Sequence, residues 1–257
     1  MTASRNSPLA DTRVLITRPA AQAEGLSSAV AAQGGDTIRF PSVAIEAVEP
    51  NQRLTDVPDL VIFTSANAVA HGVGHLNYDA HTRFAAVGRA TAAAMRASGL
   101  PTPIVPEGEA SSEGLLADPH LSLHAGARVC LVRGIGGRSV LPRTLRERGI
   151  ALDLLEVYRR TRPNYSADEV AALERRWRTD GIDVVTATSV ETYQNLHAIL
   201  TGSGRELLSE TALVLVSERI AAAARELGHR AEIRVAAGPD DDSLVQALCD
   251  WAATPRR

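Results

Sequence analysis

Arginines and hydroxyl side chains recur in this chain where short apolar runs end. "RVLITR" begins at Arg13 and "RVCLVR" at Arg128, so Arg18 and Arg133 each close an apolar strand core, with Thr17 just before Arg18. "DLVIFTS" closes on Thr64 and Ser65, with Asn67 following; "DVVTATS" closes on Thr188 and Ser189. "FAAVGRAT" supplies Gly88 and Thr91, and "LVLVSER" supplies Ser217. Guanidinium groups suit carboxylates and phosphates. The free N–H groups and dipole of a following helix add to that preference. The chemistry this points to is recognition of a ligand carrying several negative charges.

"RGIGGR" runs from Arg133 through Gly134 to Arg138. It lacks the GxGxxG spacing and the lysine of a phosphate-binding P-loop. One reading is a tight strand-to-helix turn, since glycine allows positive φ or close approach. The other is an anion-contacting turn, favoured by its two arginines and by Arg18 at the equivalent place. "EVYRRTRP" carries Tyr158 beside Arg159, Arg160 and Arg162. A tyrosine hydroxyl can donate a proton or a hydrogen bond to a departing oxygen. A tyrosine in a strand can equally serve packing.

Several chemistries are excluded or disfavoured. Lys and Arg together number 27 and all are arginine. A lysine Schiff base, a Walker A lysine and a kinase strand lysine are therefore absent. His71 and His75, like His120 and His124, are spaced one helical turn apart, but two histidines make an incomplete metal site. Cys130 sits in an apolar strand pattern, and with Cys249 it gives neither a disulfide framework nor a zinc spacing. "PDDDS" (239–243) reads as charge complement at a helix start rather than a metal site. No metal site is expected from these spacings. The net charge of −3 gives no basic field for nucleic acid. The start of the chain lacks a signal-peptide core and no apolar run is long enough to span a bilayer. A soluble cytoplasmic protein is expected.

Positioning these residues takes an alternation of strands and helices, the mark of an α/β fold with parallel sheets. Strands are predicted near 13–18, 36–40, 60–65, 84–88, 103–106, 128–133, 152–158, 183–189, 212–217 and 232–236. Helices are predicted near 20–33, 66–76, 89–98, 112–117, 138–148, 166–178, 190–200, 218–227 and 242–252. "RVLITR", "DLVIFTS" and "FAAVGRATAAAMRASG" recur in order as "RVCLVR", "DVVTATS" and "LVLVSERIAAAARELG". This internal duplication predicts two flavodoxin-like halves, each a five-stranded parallel sheet with flanking helices. The halves can follow in tandem, or exchange their first two strands; periodicity leaves both open. "FPSVAIEAV" (40–48) and "LLEVYRRTRP" (154–163) are long extended stretches of the kind that cross between domains.

The ordered set "VLITRP", "LVIFTSANAV", "AAVGRATAAAMRASG", "RGIGGRSVLPRTLRERG", "EVYRRTRP", the second "TS" strand and the terminal "SLVQAL" helix resembles the uroporphyrinogen-III synthase family. The likeness runs from Arg13 to about Leu248. It implies the exchanged arrangement: a discontinuous domain of 1–39 with 162–257, a second of 44–156, and linker strands at 40–43 and 157–161. It implies a lyase that cyclises hydroxymethylbilane with inversion of ring D and loss of water, without cofactor. Tyr158 matches the linker tyrosine and would assist hydroxyl departure. Thr17, Arg18, Thr64, Ser65, Asn67, Gly88, Thr91, Arg133, Gly134, Arg138, Thr188, Ser189 and Ser217 would meet the substrate. The implied enzyme is a monomer, with transient contact to the preceding pathway enzyme as a partner. The chain departs from the family's G-x-x-T-A turn in its second half, where Ser217 and Ile220 replace Gly and Thr. The alternative is a two-lobed ligand-binding or regulatory protein that kept the fold without the activity. A nucleotide-sugar transferase would want an acidic metal motif that does not stand out.

Overall fold

The computed structural model describes residues 7–51, 54, 56–108 and 110–254. The ends of the expected discontinuous domain, 1–6 and 255–257, lie outside the described residues. The first stretch of the chain forms β1 (Arg13–Ile16), α1 (Ala20–Ala32), β2 (Asp36–Arg39), β3 (Ala44–Ala47), β4 (Leu60–Phe63) and α2 (Ala66–Gly72). Next come β5 (Arg83–Ala86), α3 (Arg89–Ala97), α4 (Ser112–Ala117), β6 (Arg128–Gly134), α5 (Val140–Glu147) and β7 (Ala151–Thr161). The remainder forms α6 (Ala167–Thr179), β8 (Val184–Ala187), α7 (Val190–Ile199), α8 (Gly202–Glu210), β9 (Ala212–Leu215), α9 (Glu218–Glu226), β10 (Ile233–Val235) and α10 (Asp241–Ala252).

Two five-stranded sheets result, in the orders β10-β9-β8-β1-β2 and β3-β7-β6-β4-β5. The chain divides into two compact units, one running up to Ala44 and resuming at Thr161, the other spanning Ile45–Arg160. Strands β1 and β2 thus share a sheet with strands from the other half of the repeat. Strand β1 pairs in parallel with β8, and β4 with β6. Val14, Leu15 and Ile16 of β1 and all of β4 are fully buried, as expected where helices cover both faces. Burying one such side chain is worth roughly 1.5–3 kcal/mol, more than the ~1 kcal/mol span of strand propensities. Two-sided burial therefore decides which runs become central strands.

The repeat shows itself again at the strand starts. The Arg13 N–H donates to Asp183 Oδ2 at 2.8 Å, and the Arg128 N–H to Asp59 Oδ2 at 2.7 Å. Asp183 and Asp59 return the bond through their own N–H groups, to Arg13 O and Arg128 O. The same Arg–Asp clamp opens the central strand pair in both units, each clamp joining the two halves of the sequence. The helices that follow β1 and β6 stop alike. Gly34 and Gly149 lie just past α1 and α5 with φ of 85° and 73°, a conformation that favours glycine.

Three expectations need correction. Residues 103–106 do not form a strand; only Ile104 bridges Ala85. Pro101, Pro103 and Pro106 remove the donors a longer ladder needs. The fifth place in that sheet is taken by β3, inside the stretch read as extended, at the opposite edge. There the Val48 N–H donates to Val157 O, and Glu46 meets Arg159 at 2.8 Å, so β3 and β7 run in opposite senses. Strand β7 is longer than predicted, and α8 was not predicted. Thr201 caps α8 while its N–H and hydroxyl both donate to the buried Glu174 carboxylate. The α8 sequence "GSGRELLSE" opens on a glycine pair that reads as a loop.

His229 is buried beside Tyr193, and burial, with the Arg225 charge behind it, lowers its pKa below the ordinary 6.5. The folded state disfavours the charged ring relative to the unfolded chain. Its stabilising contribution is complete above about pH 6.5 and declines as pH falls below that value, because the unfolded chain then takes up the proton first. Thermal unfolding measured between about pH 7.5 and 5.5 should show a falling midpoint, and His229→Leu should flatten that part of the profile. Asp59→Ala and Asp183→Ala should each lower stability by about 1–2 kcal/mol in urea titrations, since each leaves a strand-opening N–H without its carboxylate.

Candidate functional site

Strands β4 and β6 of the second unit deliver their carboxyl ends to a cavity of about 290 Å³. Thr64 and Ser65 follow β4, and Val87 follows β5. Ser111 and Ser112 open α4, Arg133 ends β6, and Arg138 stands in the turn beyond. Tyr158 of β7 completes the wall, 8% exposed. Its hydroxyl lies 3.1 Å from Ser65 Oγ. Ser65 also caps α2, accepting from the Ala68 N–H at 3.1 Å. The Thr64 hydroxyl donates to Val132 O, anchoring β4 to β6 at the rim. His71 tilts towards the Tyr158 ring at a centroid distance of 6.2 Å.

The glycine turn is built around Arg133. Its guanidinium donates to Gly134 O at 3.2 Å, Gly137 O at 2.6 Å and Arg138 O at 3.3 Å. Glu156 lies 3.5 Å away and balances the charge. A buried guanidinium is tolerated only with such pairing. Arg133 therefore spends its donors on the backbone of the loop that carries Arg138. Arg138 itself is exposed at the cavity, and its guanidinium makes no ion pair among the described residues. Of the two arginines in "RGIGGR", Arg138 is the one available to a ligand.

At the rim of the first unit, Thr17 is fully buried and donates to Thr186 O at 2.6 Å. Arg18 is 8% exposed and pairs with Asp241 at 2.5 Å, also donating to Gln22 O. The acidic "PDDDS" stretch does complement a helix start, with Asp240 capping α10 and Asp241 holding Arg18. Arg18 and Arg133 are thus equivalent in sequence and alike in structure: both are buried and engaged within their own units. Thr188 is half-buried, and Ser189 caps α7 through the Thr192 N–H. Ser217 is the residue before α9 and makes no side-chain cap bond. Ile220, where the family pattern has Thr, is 1% exposed in the apolar core.

The structure gathers Thr64, Ser65, Arg133, Arg138 and Tyr158 at one cavity. Gly134 lies against the Tyr158 ring, while Asn67, Gly88 and Thr91 fall outside the lining. Ser111 and Ser112 were missed by sequence reasoning. The signal was present: "SSEGLL" reads as a serine cap before an apolar run, and such helix starts gather at the rim of a parallel sheet. Cys130 is fully buried in β6, and burial, with Asp153 second, pushes its thiol up to about 12. It is packing, not a nucleophile. Replacing Arg133 with Met should free the turn from below. Amide exchange at Ile135 and Gly137 should then accelerate roughly tenfold or more, read by hydrogen-exchange mass spectrometry.

These features define an α/β protein with two parallel-dominated five-stranded sheets, flanking helices, and a hydroxyl-lined, arginine-bearing cavity at the carboxyl edge of one sheet. A family model described as uroporphyrinogen-III synthase HemD matches residues 24–246. The chain belongs to the uroporphyrinogen-III synthase family. It is 36% identical over 247 residues to the uroporphyrinogen-III synthase of Salmonella typhimurium, covering 91% of this chain and 99% of that one. It is 32% identical to the Escherichia coli enzyme of the same name, with the same coverage. Among solved structures, uroporphyrinogen-III synthetase from Helicobacter pylori matches with a TM-score of 0.61 at 15% identity, covering 93% of this chain and 99% of that one. A mutant uroporphyrinogen III synthase from Thermus thermophilus matches with a TM-score of 0.54 at 22% identity, covering 94% and 98%. At those identities the structures speak for the fold.

Proposed function

We propose that this chain cyclises hydroxymethylbilane to uroporphyrinogen III, with inversion of ring D and loss of water. The observation that carries the reading, within this family, is the Tyr158 hydroxyl on the wall of a cavity flanked by Arg138. Ser65 Oγ accepts from the Ala68 N–H and shares with Tyr158 Oη a hydrogen bond in which either hydroxyl can donate. With Ser65 as the donor, the phenolic proton is free to point at a departing oxygen.

The reaction follows from the substrate's electronics. The pyrrole nitrogen next to the hydroxymethyl carbon pushes out the hydroxyl, which leaves as water with a proton donated from the site. The resulting azafulvene is attacked by the substituted carbon of ring D, giving a spiro intermediate. That intermediate fragments at its neighbouring bridge, and the regenerated electrophile closes on the free carbon of ring D. Each pyrrole N–H lost on the way is regained, and the C–H proton released from the free carbon of ring D on closure balances the proton donated at the start. The bilane also closes unaided to the uninverted isomer, so the protein's main task is orientation. Hydroxyls at Thr64, Ser111 and Ser112 and the guanidinium of Arg138 suit some of the eight substrate carboxylates. Thr188, Ser189 and Ser217 offer hydroxyls at the rim of the other unit. The cavity is lined by no thiol, amine or imidazole among the described residues, so it offers little to trap an electrophilic intermediate.

Each unit is read as a flavodoxin-like domain, with 40–43 and 157–161 as the connecting segments. The enzyme works as a cytoplasmic monomer without a cofactor and receives its unstable substrate by transient contact with the preceding enzyme. No helix among the described residues is long and apolar enough to cross a membrane.

The test is incubation with enzymatically made hydroxymethylbilane, followed by oxidation and separation of the uroporphyrin isomers. Isomer III should dominate; isomer I alone would refute the activity. Tyr158→Phe should lower the rate of isomer III formation by about 10²-fold with little loss of stability, as for removal of general acid assistance.

A further inference from the structure

We propose that a β-bulge at Val157, together with Gly134 opposite, is the device that turns Tyr158 to the α2 side of the sheet and sets its hydroxyl against Ser65 at the cavity wall, so that Gly134 is a positioning residue rather than a substrate contact. This rests on the reading of Tyr158 given above.

Strands β6 and β7 run in step from Arg128 opposite Ala151 to Arg133 opposite Glu156. The next pair is Gly134 opposite Tyr158, so Val157 is the extra residue. Side chains alternate along a strand, and one inserted residue reverses every face beyond it. Leu152 and Leu154 face the core containing Leu131 and Leu145. Leu155 and Val157 face the opposite core. Strict alternation sends Tyr158 to the Leu154 side, yet it packs with Leu155 and Val157. The bulge has moved it across. The ladder then resumes, with the Ile135 N–H donating to Tyr158 O at 2.8 Å.

The ring arrives over Gly134 with no space to spare. A Cβ on Gly134 would stand 2.6 Å from Tyr158 Cζ and 2.7 Å from Cε2, and the φ of Gly134 is not in the left-handed region. Glycine is therefore needed for room, not for backbone freedom. Arg133, on the other side of the bulge, fixes the carbonyls of 134, 137 and 138 and keeps the turn from yielding. The phenol is thus held between Gly134 below and Ser65 at its hydroxyl.

The experiment is a double-mutant cycle with Gly134→Ala in wild-type and Tyr158→Ala backgrounds, alongside Tyr158→Phe, read as kcat, KM and isomer III to isomer I ratio. Gly134→Ala alone should lower kcat by at least about tenfold with KM little changed, and shift the product towards isomer I. In the Tyr158→Ala background the same change should cost less than about twofold, because the clashing ring is gone. An equal loss in both backgrounds, or none in either, overturns the proposal while leaving a slow Tyr158→Phe enzyme intact. If Tyr158→Phe is unimpaired, the role of Tyr158 and this proposal fall together. Should Gly134→Ala fail to fold while Gly134→Ala/Tyr158→Ala folds, the steric coupling is supported; failure of both to fold overturns it.

Discussion

Parallel pairing between strands from different halves of the sequence is the constraint on which everything else rests. Strand β1 has no antiparallel neighbour and is buried on both faces, lying between β2 and the apolar β8 from the other half of the sequence. Strand β4 stands to β6 in the second unit as β8 stands to β1 in the first. The Arg–Asp clamp at the head of each central pair fixes the register at one end. With the register fixed there, the opposite ends emerge level, and the residues after them are delivered together. Thr64, Ser65 and Arg133 are neighbours because β4 and β6 were aligned five residues earlier, at Asp59 and Arg128.

The cavity in the second unit illustrates how the protein handles charge. Two arginines were candidates for ligand contact, and burial separates their roles. Arg133 is enclosed and must be satisfied internally, which it achieves with three carbonyls and Glu156. Arg138 remains exposed and keeps its donors. A buried arginine thus shapes the loop that presents a free one. The first unit uses the same position differently: Arg18 ties β1 to the start of α10 through Asp241. Duplication preserved the arginine and its burial, while its partners diverged.

Local irregularity supplies what the regular repeat cannot. A parallel sheet of alternating side chains has no reason to put three consecutive-side residues, Leu155, Val157 and Tyr158, on one face. The bulge does so by leaving Val157 without a register partner on β6, and glycine at 134 leaves the gap the ring fills. The prolines around Ile104 are a second irregularity, reducing the expected fifth strand to a single bridge. Strand β3 then occupies the other edge through its pairing with β7, the strand that carries Tyr158.

Much of this was legible in the residues. The α/β class, the general alternation of strands and helices, the duplication and the rim residues Thr64, Ser65, Arg138 and Tyr158 follow from periodicity, repeated segments and the tendency of ligand groups to collect at the carboxyl ends of strands. These are local signals, carried by runs of a few residues. Which strands share a sheet, which of two similar arginines is free, and which face Tyr158 takes were decided by tertiary structure. Each depends on distant partners: Asp183 for Arg13, Asp241 for Arg18, Glu156 for Arg133, and one residue of register between β6 and β7. A one-residue shift leaves no mark on composition or hydrophobic period, yet it reverses a side chain, and only the pairing of the two strands sets it.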